Sequence, residues 1–231
     1  MLSRIRKIAS LFPELWRMVV FYLPGAIGYD LRRRYWKTRL RHLGEGVIIE
    51  PGVLFQGPEH IWIGDHTWID RGVILLAGID TSGREKIVLE NPRFEGEPGV
   101  IHIGEFVHIA PHCIISGISA GVYISDRCNV AAGSKIYAFS HHYQSRKDPR
   151  NREIYFGPMV AEDEQCLILG PVQLGRNTGV ALNAVILPGV FIPEDCFVSI
   201  GSVVSRREYR GNTIIGGNPA ESGRNRYTVD E

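Results

Sequence analysis

Residues 170–207 read GPVQLGRNTGVALNAVILPGVFIPEDCFVSIGSVVSRR. Leu174, Val180, Ile186, Ile192, Val198 and Val204 fall six residues apart in this stretch, without a gap. The same step recurs upstream as Ile63, Ile69, Leu75, as Ile103, Ile109, Ile115, and as Ile124, Val130, Ile136. A helix repeats every 3.6 residues and a strand every two, so a period of six is neither. It fits a short strand plus a turn, with one aliphatic side chain directed inward each time. Three such units close a triangular coil, and stacked coils make a parallel β-helix, an all-β architecture. An ordinary β-sandwich with aliphatic strands would give at most an isolated triplet.

The residues after the aliphatics fit this reading. Ile63-Gly64-Asp65, Ile103-Gly104-Glu105, Ile124-Ser125-Asp126 and Leu174-Gly175-Arg176 each put a small or polar pair where a corner is needed. Glycine adopts positive φ freely, and Asn and Asp do so more readily than other residues, so tight corners are expected at these pairs.

Residues 44–221 resemble the hexapeptide-repeat acyltransferases, in particular the branch that O-acetylates polysaccharides and sugars. The resemblance is most specific over 170–221, where ILPGV, GSVV and GGNPA at 216–220 look like that family's coenzyme A end. It implies a left-handed β-helix. The hand comes from the resemblance alone, because β crossovers are usually right-handed.

Working outward, the period is broken by an excursion at 78–99, which carries Gly, Pro and many charges, and by a longer one at 137–169, and long loops in compact domains tend to be functional. A head at 1–43 precedes the β-helix domain of 44–221, and a polar, Arg-rich tail at 222–231 follows it. In the head, Ile5, Ile8, Leu11, Phe12, Leu15 and Val19 are spaced for a helix that Pro24-Gly25 interrupts, and a second helix is expected from about Gly28 to Leu43. The net charge of +1 conceals an asymmetry: residues 1–42 hold ten Lys/Arg and two Asp/Glu, and the remainder is acidic. Either the head caps the open first coil, as solenoids require, or its cations and aromatics meet an anionic membrane surface. An acidic body argues against nucleic acid as a partner.

Composition limits the rest. At 44% hydrophobic, the chain has enough apolar content for a core. The longest uncharged run near the start, Met18 to Tyr29, has 12 residues, short of the ~20 a spanning helix needs. The basic start lacks a clean apolar core followed by a small-residue cleavage site, so no secretory signal is read. Four well-separated cysteines without a Cys-x-x-Cys fit a reducing cytosol. The expected location is therefore cytoplasmic, at the inner face of the membrane if the head binds lipid.

Moving an acyl group from a thioester to a hydroxyl needs a base for the hydroxyl proton and donors for the oxyanion. Imidazole suits the first task near neutral pH. His141 opens the second excursion in the motif SHHY, five residues after Ile136. The resemblance assigns it the general-base role, since a His after Ser or Thr serves so in the family, with His142 as the fallback. IHIGEFVHIAPHCIISG at 101–117 parallels the family coil before the catalytic loop, where an Asn contacts the acceptor; this chain has His112 there. Asn129 and Tyr137, on the next two hexads, are further acceptor candidates. For the donor, the resemblance places acetyl-CoA along the C-terminal coils between subunits of a homotrimer, with Gly201 and Ser202 offering backbone groups. Ser205 and Arg206 match a family pair near the coenzyme. Asn218 and Pro219 lie in the terminal turn, with Arg207 and Arg210 flanking the nucleotide. Two departures stand out: Gly179 replaces a usual Trp, and Leu182 and Ile200 replace small residues.

The function expected is transfer of acetyl from acetyl-CoA to a hydroxyl of a sugar or lipid-linked glycan, with no metal. Alternatives are N-acetylation of an amino sugar, a non-catalytic scaffold, and a zinc hydratase like the γ-carbonic anhydrases built from His102, His108, His112 and His141.

Overall fold

The computed structural model describes residues 13–157 and 159–227. Ile5, Ile8, Leu11 and Phe12 of the expected first helix lie outside these residues. Three parallel sheets form the faces of a prism. The first face stacks His42–Leu43, Ile61–Ile63, Ile101–Ile103, Val122–Ile124, Val172–Leu174 and Phe191–Ile192. The second begins with Ile48–Ile49, Trp68–Ile69, His108–Ile109, Asn129–Val130, Gly179–Val180 and Phe197–Val198, and the third runs from Leu54–Gln56 to Val203–Val204. The chain visits the faces in turn, six coils in all.

The hexad residues become the core. On the third face Leu75, Ile115 and Ile136 stand in register on neighbouring strands, and all are fully buried. Fully burying such a side chain stabilises by about 1.5–3 kcal/mol, and each coil contributes three.

The corners work differently from the expectation. Gly64, Gly104 and Gly175 do not carry the positive φ. It falls two residues later, on His66, Phe106, Arg127, Asn177 and Asp195. The glycines are there for close approach: a Cβ on Gly64 would lie 2.7 Å from the Gly104 carbonyl carbon. The following carboxylates tie the corners together, Asp65 Oδ1 accepting from the Glu45 N–H at 2.7 Å and Asp126 Oδ1 from the Glu105 N–H at 2.8 Å.

The head forms helix α1, described over 13–22, and helix α2, Gly25–Lys37. The second helix starts and ends earlier than its spacing suggests, because His42–Leu43 already pairs as the first strand of the prism. The inner side of the head covers the first coil. Trp36 packs edge-on against Phe55 at 4.6 Å and stacks with Phe21 at 5.7 Å. Buried Arg32 donates to the Ile49 carbonyl through Nε (2.7 Å) and to the Leu23 and Val20 carbonyls through one guanidinium nitrogen (2.7 and 3.2 Å). These bonds satisfy carbonyls that an open coil end and an interrupted helix would otherwise leave bare. At the far end, Thr213–Gly217 pairs with Phe197–Val198 and turns back into Ala220–Asn225, so the tail begins as a hairpin strand.

Both excursions leave the edge between the third and first faces, and they meet. Phe139–His141 runs antiparallel to Cys166–Leu169, which runs parallel to Glu85–Val88, a three-stranded arm outside the prism.

Candidate active site

His141 is the last residue of its arm strand, paired with Leu167. The half-buried imidazole stands perpendicular to Phe156 at 6.1 Å and tilted to Phe139 at 6.3 Å. Its Nδ1 is buried with no hydrogen-bond partner among the described residues. His142 is oriented differently: its Nδ1 lies 2.7 Å from the Gln144 carbonyl oxygen and 3.3 Å from the Gln144 N–H, which fixes the ring against the loop. Its backbone N–H donates to the Cys166 carbonyl, so the pair of histidines is held by the arm on both strands.

The loop after the histidines is anchored by a residue that local sequence reading misses. Glu85, on the first excursion, accepts from the Ser145 hydroxyl at 2.6 Å and from the Arg146 and Lys147 N–H groups at 2.8 and 3.1 Å. Burial acts to raise its pKa, but these donors outweigh it and hold the carboxyl below the usual range. Nearby Asp80 follows the same logic: burial pushes it up, while Arg84, Ser82 and Lys86 bring it down to about 2. Sixty residues separate Glu85 from Ser145, and no motif links them.

The acceptor candidates are distributed over the prism. Tyr137 is half-buried on the third face beside Ser116, four residues before His141 and at the same edge. His112 holds the corner between the second and third faces at φ 60°, its ring over Gly72, where a Cβ would approach Nδ1 to 2.6 Å. Asn129 lies on the second face and donates to His108 Nδ1 at 3.1 Å, while His108 Nε2 bonds Asp70 at 2.9 Å. Within one chain, Tyr137 and His142 accompany His141, and His112 and Asn129 do not. His102 stacks between Trp62 and Tyr123 on the first face. His102, His108 and His112 thus point from different places, and no group of three or more metal-binding side chains converges among the described residues.

The donor candidates divide between two edges. Gly201 (φ 66°) and the buried Ser202 sit at the corner between the second and third faces, Ser202 Oγ accepting from the Gly217 N–H at 3.2 Å. That bond brings the Asn218-Pro219 turn to the same corner. Exposed Leu182 and Ile200 neighbour it one coil apart. Ser205 and Arg206 sit at the other edge, the one that carries the arm. There Arg206 donates to the Glu90 carbonyl at 3.1 Å and lines a cavity of about 250 Å³ with Arg93, Arg207 and Phe191. Arg93 comes from the first excursion, lies 4.8 Å from the centre of the Phe191 ring and pairs with Glu208. It is a second residue that sequence reading passed over, since nothing local marks Arg93 as a neighbour of Arg206. Glu90 and Glu208 line the same cavity, and Arg207 pairs with Glu221 at 2.8 Å, so a phosphorylated group would have to compete with these carboxylates for the guanidinium groups.

No protein-family model matches the chain. Among solved structures it is similar to a variant of AntD, an N-acyltransferase from Bacillus cereus, in complex with dTDP-4-amino-4,6-dideoxyglucose and coenzyme A. That match has a TM-score of 0.67 and 21% identity, over 85% of this chain and 90% of that one. AntD in complex with dTDP and 3-hydroxybutyryl-CoA matches with a TM-score of 0.64 and 21% identity, over 85% and 88% of the two chains. A hexapeptide-repeat-containing acetyltransferase from Vibrio cholerae O1 biovar eltor, complexed with acetyl coenzyme A, matches with a TM-score of 0.52 and 18% identity, over 98% and 91%. These likenesses, with the three-faced stack of hexads, give the chain the left-handed β-helix fold of the hexapeptide-repeat acyltransferases.

Proposed function

We propose that this chain is an acyltransferase that moves an acetyl group from acetyl-CoA to a hydroxyl of a sugar, in a surface polysaccharide or its lipid-linked precursor. The observation that carries the reading is the arm: two excursions from an otherwise regular prism hold a His pair at one edge, the edge that also carries an arginine-lined cavity. The solved enzymes of like fold, bound to coenzyme A or acetyl-CoA, support the donor class.

In this reading His141 takes the proton of the acceptor hydroxyl. The oxygen attacks the thioester carbonyl carbon, and backbone N–H groups receive the oxyanion. The tetrahedral intermediate then breaks its C–S bond, and the coenzyme A thiolate takes back the proton from the imidazolium. The Nδ1 of His141 has no hydrogen-bond partner among the described residues, so none of them sets its tautomer. His142, already oriented by Gln144, is the alternative base.

The assembly is a homotrimer. The arm stands at one edge of the third face and Gly201 with Ser202 at the other, so a neighbouring copy is needed to close a cleft using both. His112 and Asn129 would reach an acceptor only from such a neighbour. The protein works in the cytoplasm, and its basic head contacts the inner face of the membrane. A second reading, N-acylation of an amino sugar, is favoured by the likeness to AntD, an N-acyltransferase.

Thiol release from acetyl-CoA, measured with a panel of sugars, amino sugars and lipid-linked oligosaccharides, tests the reading. Turnover with hydroxyl acceptors is expected. Turnover confined to amino sugars would replace it with the second reading, and absence of both turnover and coenzyme A binding would overturn it. Arg206→Glu is expected to weaken coenzyme A more than dephospho-coenzyme A, and equal weakening would remove Arg206 from the 3′-phosphate.

A further inference from the structure

We infer that the outer side of the head is a docking surface for a bilayer with anionic headgroups, holding the prism with its first coil toward the membrane. This deepens the membrane contact of the proposed function and names the residues that make it.

The two sides of the head are unlike. Inward, Val20 is fully buried and Arg32 holds the carbonyls of Val20 and Leu23. Outward, Leu15 (56% exposed), Met18 (59%), Val19 (45%) and Tyr22 (65%) follow the i, i+3, i+4, i+7 rule of one helix face. Trp16 (46%), one turn before Val20, and Ile27 (76%) of α2 are exposed as well. An apolar stripe on a helix whose opposite side is pinned by a buried guanidinium is presented to the outside as a fixed surface. Contiguous exposed apolar surface of this kind marks an interaction site.

Charge selects the occupant. Arg17, Arg33, Arg34 and Lys37 lie on the same two helices, where Glu14 and Asp30 pair with Arg17 and Arg34 at 3.4 and 2.9 Å, and the preceding residues 1–12 carry Arg4, Arg6 and Lys7 with no acidic residue, so the head keeps an excess of cations. A second copy would bring a head with the same excess of cations and repel it. A surface of anionic headgroups over an apolar interior complements both properties. Trp16 and Tyr22 have the amphipathic rings that settle at a membrane boundary. None of the described helices is long and apolar enough to cross a membrane, so the contact is interfacial. With coils about 4.8 Å apart, the histidine strand of the arm, which leaves the fourth coil, starts roughly 14 Å beyond the first coil. That height suits a sugar carried some way from a lipid anchor.

The test is co-sedimentation of the full-length chain with vesicles of phosphatidylcholine alone and of phosphatidylcholine mixed with phosphatidylglycerol. Binding is expected for the anionic vesicles, falling as salt rises. A variant carrying Met18→Glu and Val19→Glu should bind them about tenfold more weakly or worse. Its circular dichroism, melting temperature and native mass should be unchanged, because both residues are exposed. The proposal is overturned if the full-length chain ignores anionic vesicles at low salt, or if the variant binds them like wild type. It is also overturned if the variant instead changes the native mass, which would assign the stripe to a second copy. Vesicle binding is read without turnover, so it stands or falls separately from acyl transfer.

Discussion

The prism and the arm are built by opposite rules. In the last two coils, 170–204, each strand lies over one that precedes it by a nearly constant step, as with Val185↔Val203 and Ile186↔Val204. In the arm, Glu85–Val88 pairs with Cys166–Leu169, some eighty residues away, and Glu85 reaches across to 145–147. The prism draws on burial, one aliphatic per strand; the arm buries Ile87, Leu167 and Leu169 as well, and adds the side-chain bonds gathered around Asp80 and Glu85. Burial is therefore repeated strand by strand along the prism, while the segment that carries His141 and His142 combines burial with specific bonds between residues far apart in the chain.

The sharpest way to break this division is to remove the arm's chemistry while sparing the fold. His141→Ala is expected to lower kcat/KM by about 10²–10⁴-fold, the usual contribution of a general base, with melting temperature unchanged. Steady-state thiol release decides it, and wild-type activity in His141→Ala with loss in His142→Ala would move the base by one residue.

The converse substitution belongs in the prism. Ile186→Ala empties a fully buried site and should cost about 2–5 kcal/mol in urea unfolding. Val88→Ala, on an arm strand and 63% exposed, should stay within about 0.5 kcal/mol. Similar costs for the two would mean that the outer face of the arm, where Val88 lies, is packed in the assembled protein.

A third measurement probes what holds the arm. Glu85→Gln should loosen the loop at 145–147, seen as faster amide exchange there, with a loss of about 1–3 kcal/mol. Acid should act in the same direction. The carboxyls of Asp80 and Glu85 have pKa values below their ordinary ones, so the stability they contribute is present above the ordinary value. It is lost as pH falls through the lowered one, for Asp80 between its ordinary 3.8 and about 2. Amide protection in 80–88 should fall in that window before protection in 170–204 does; simultaneous loss would contradict the separate anchoring.

The smallest effect concerns the thiols. Cys113 and Cys128 face the prism interior, and burial pushes them up to about 11 and about 12. Neither should react with a maleimide in the native protein at pH 8, and both should react on unfolding. Rapid native labelling would show that the prism opens locally.

Much of this was legible in the order of residues. Leu174 to Val204 named the inward side chains before any coordinate, because each hexad meets its neighbours at a fixed short distance along the chain. The places where the period fails, near 78 and 137, marked the excursions, and SHHY marked the histidines. Other features only the folded chain decided. That the two excursions leave one edge and pair, that Glu85 secures the loop after His142, and that Arg93 joins Arg206 depend on contacts between residues some sixty to a hundred and fifteen apart. No periodicity constrains these contacts, so no local pattern records them. The glycine of each Ile-Gly-Asp corner was recognised for the wrong reason. Its sequence position signals a turn, but only stacked coils reveal that the missing Cβ makes room for the next corner. The head shows the same limit: its spacing marked helices, and Arg32 buried against three carbonyls determined which side faces the coil and which remains open.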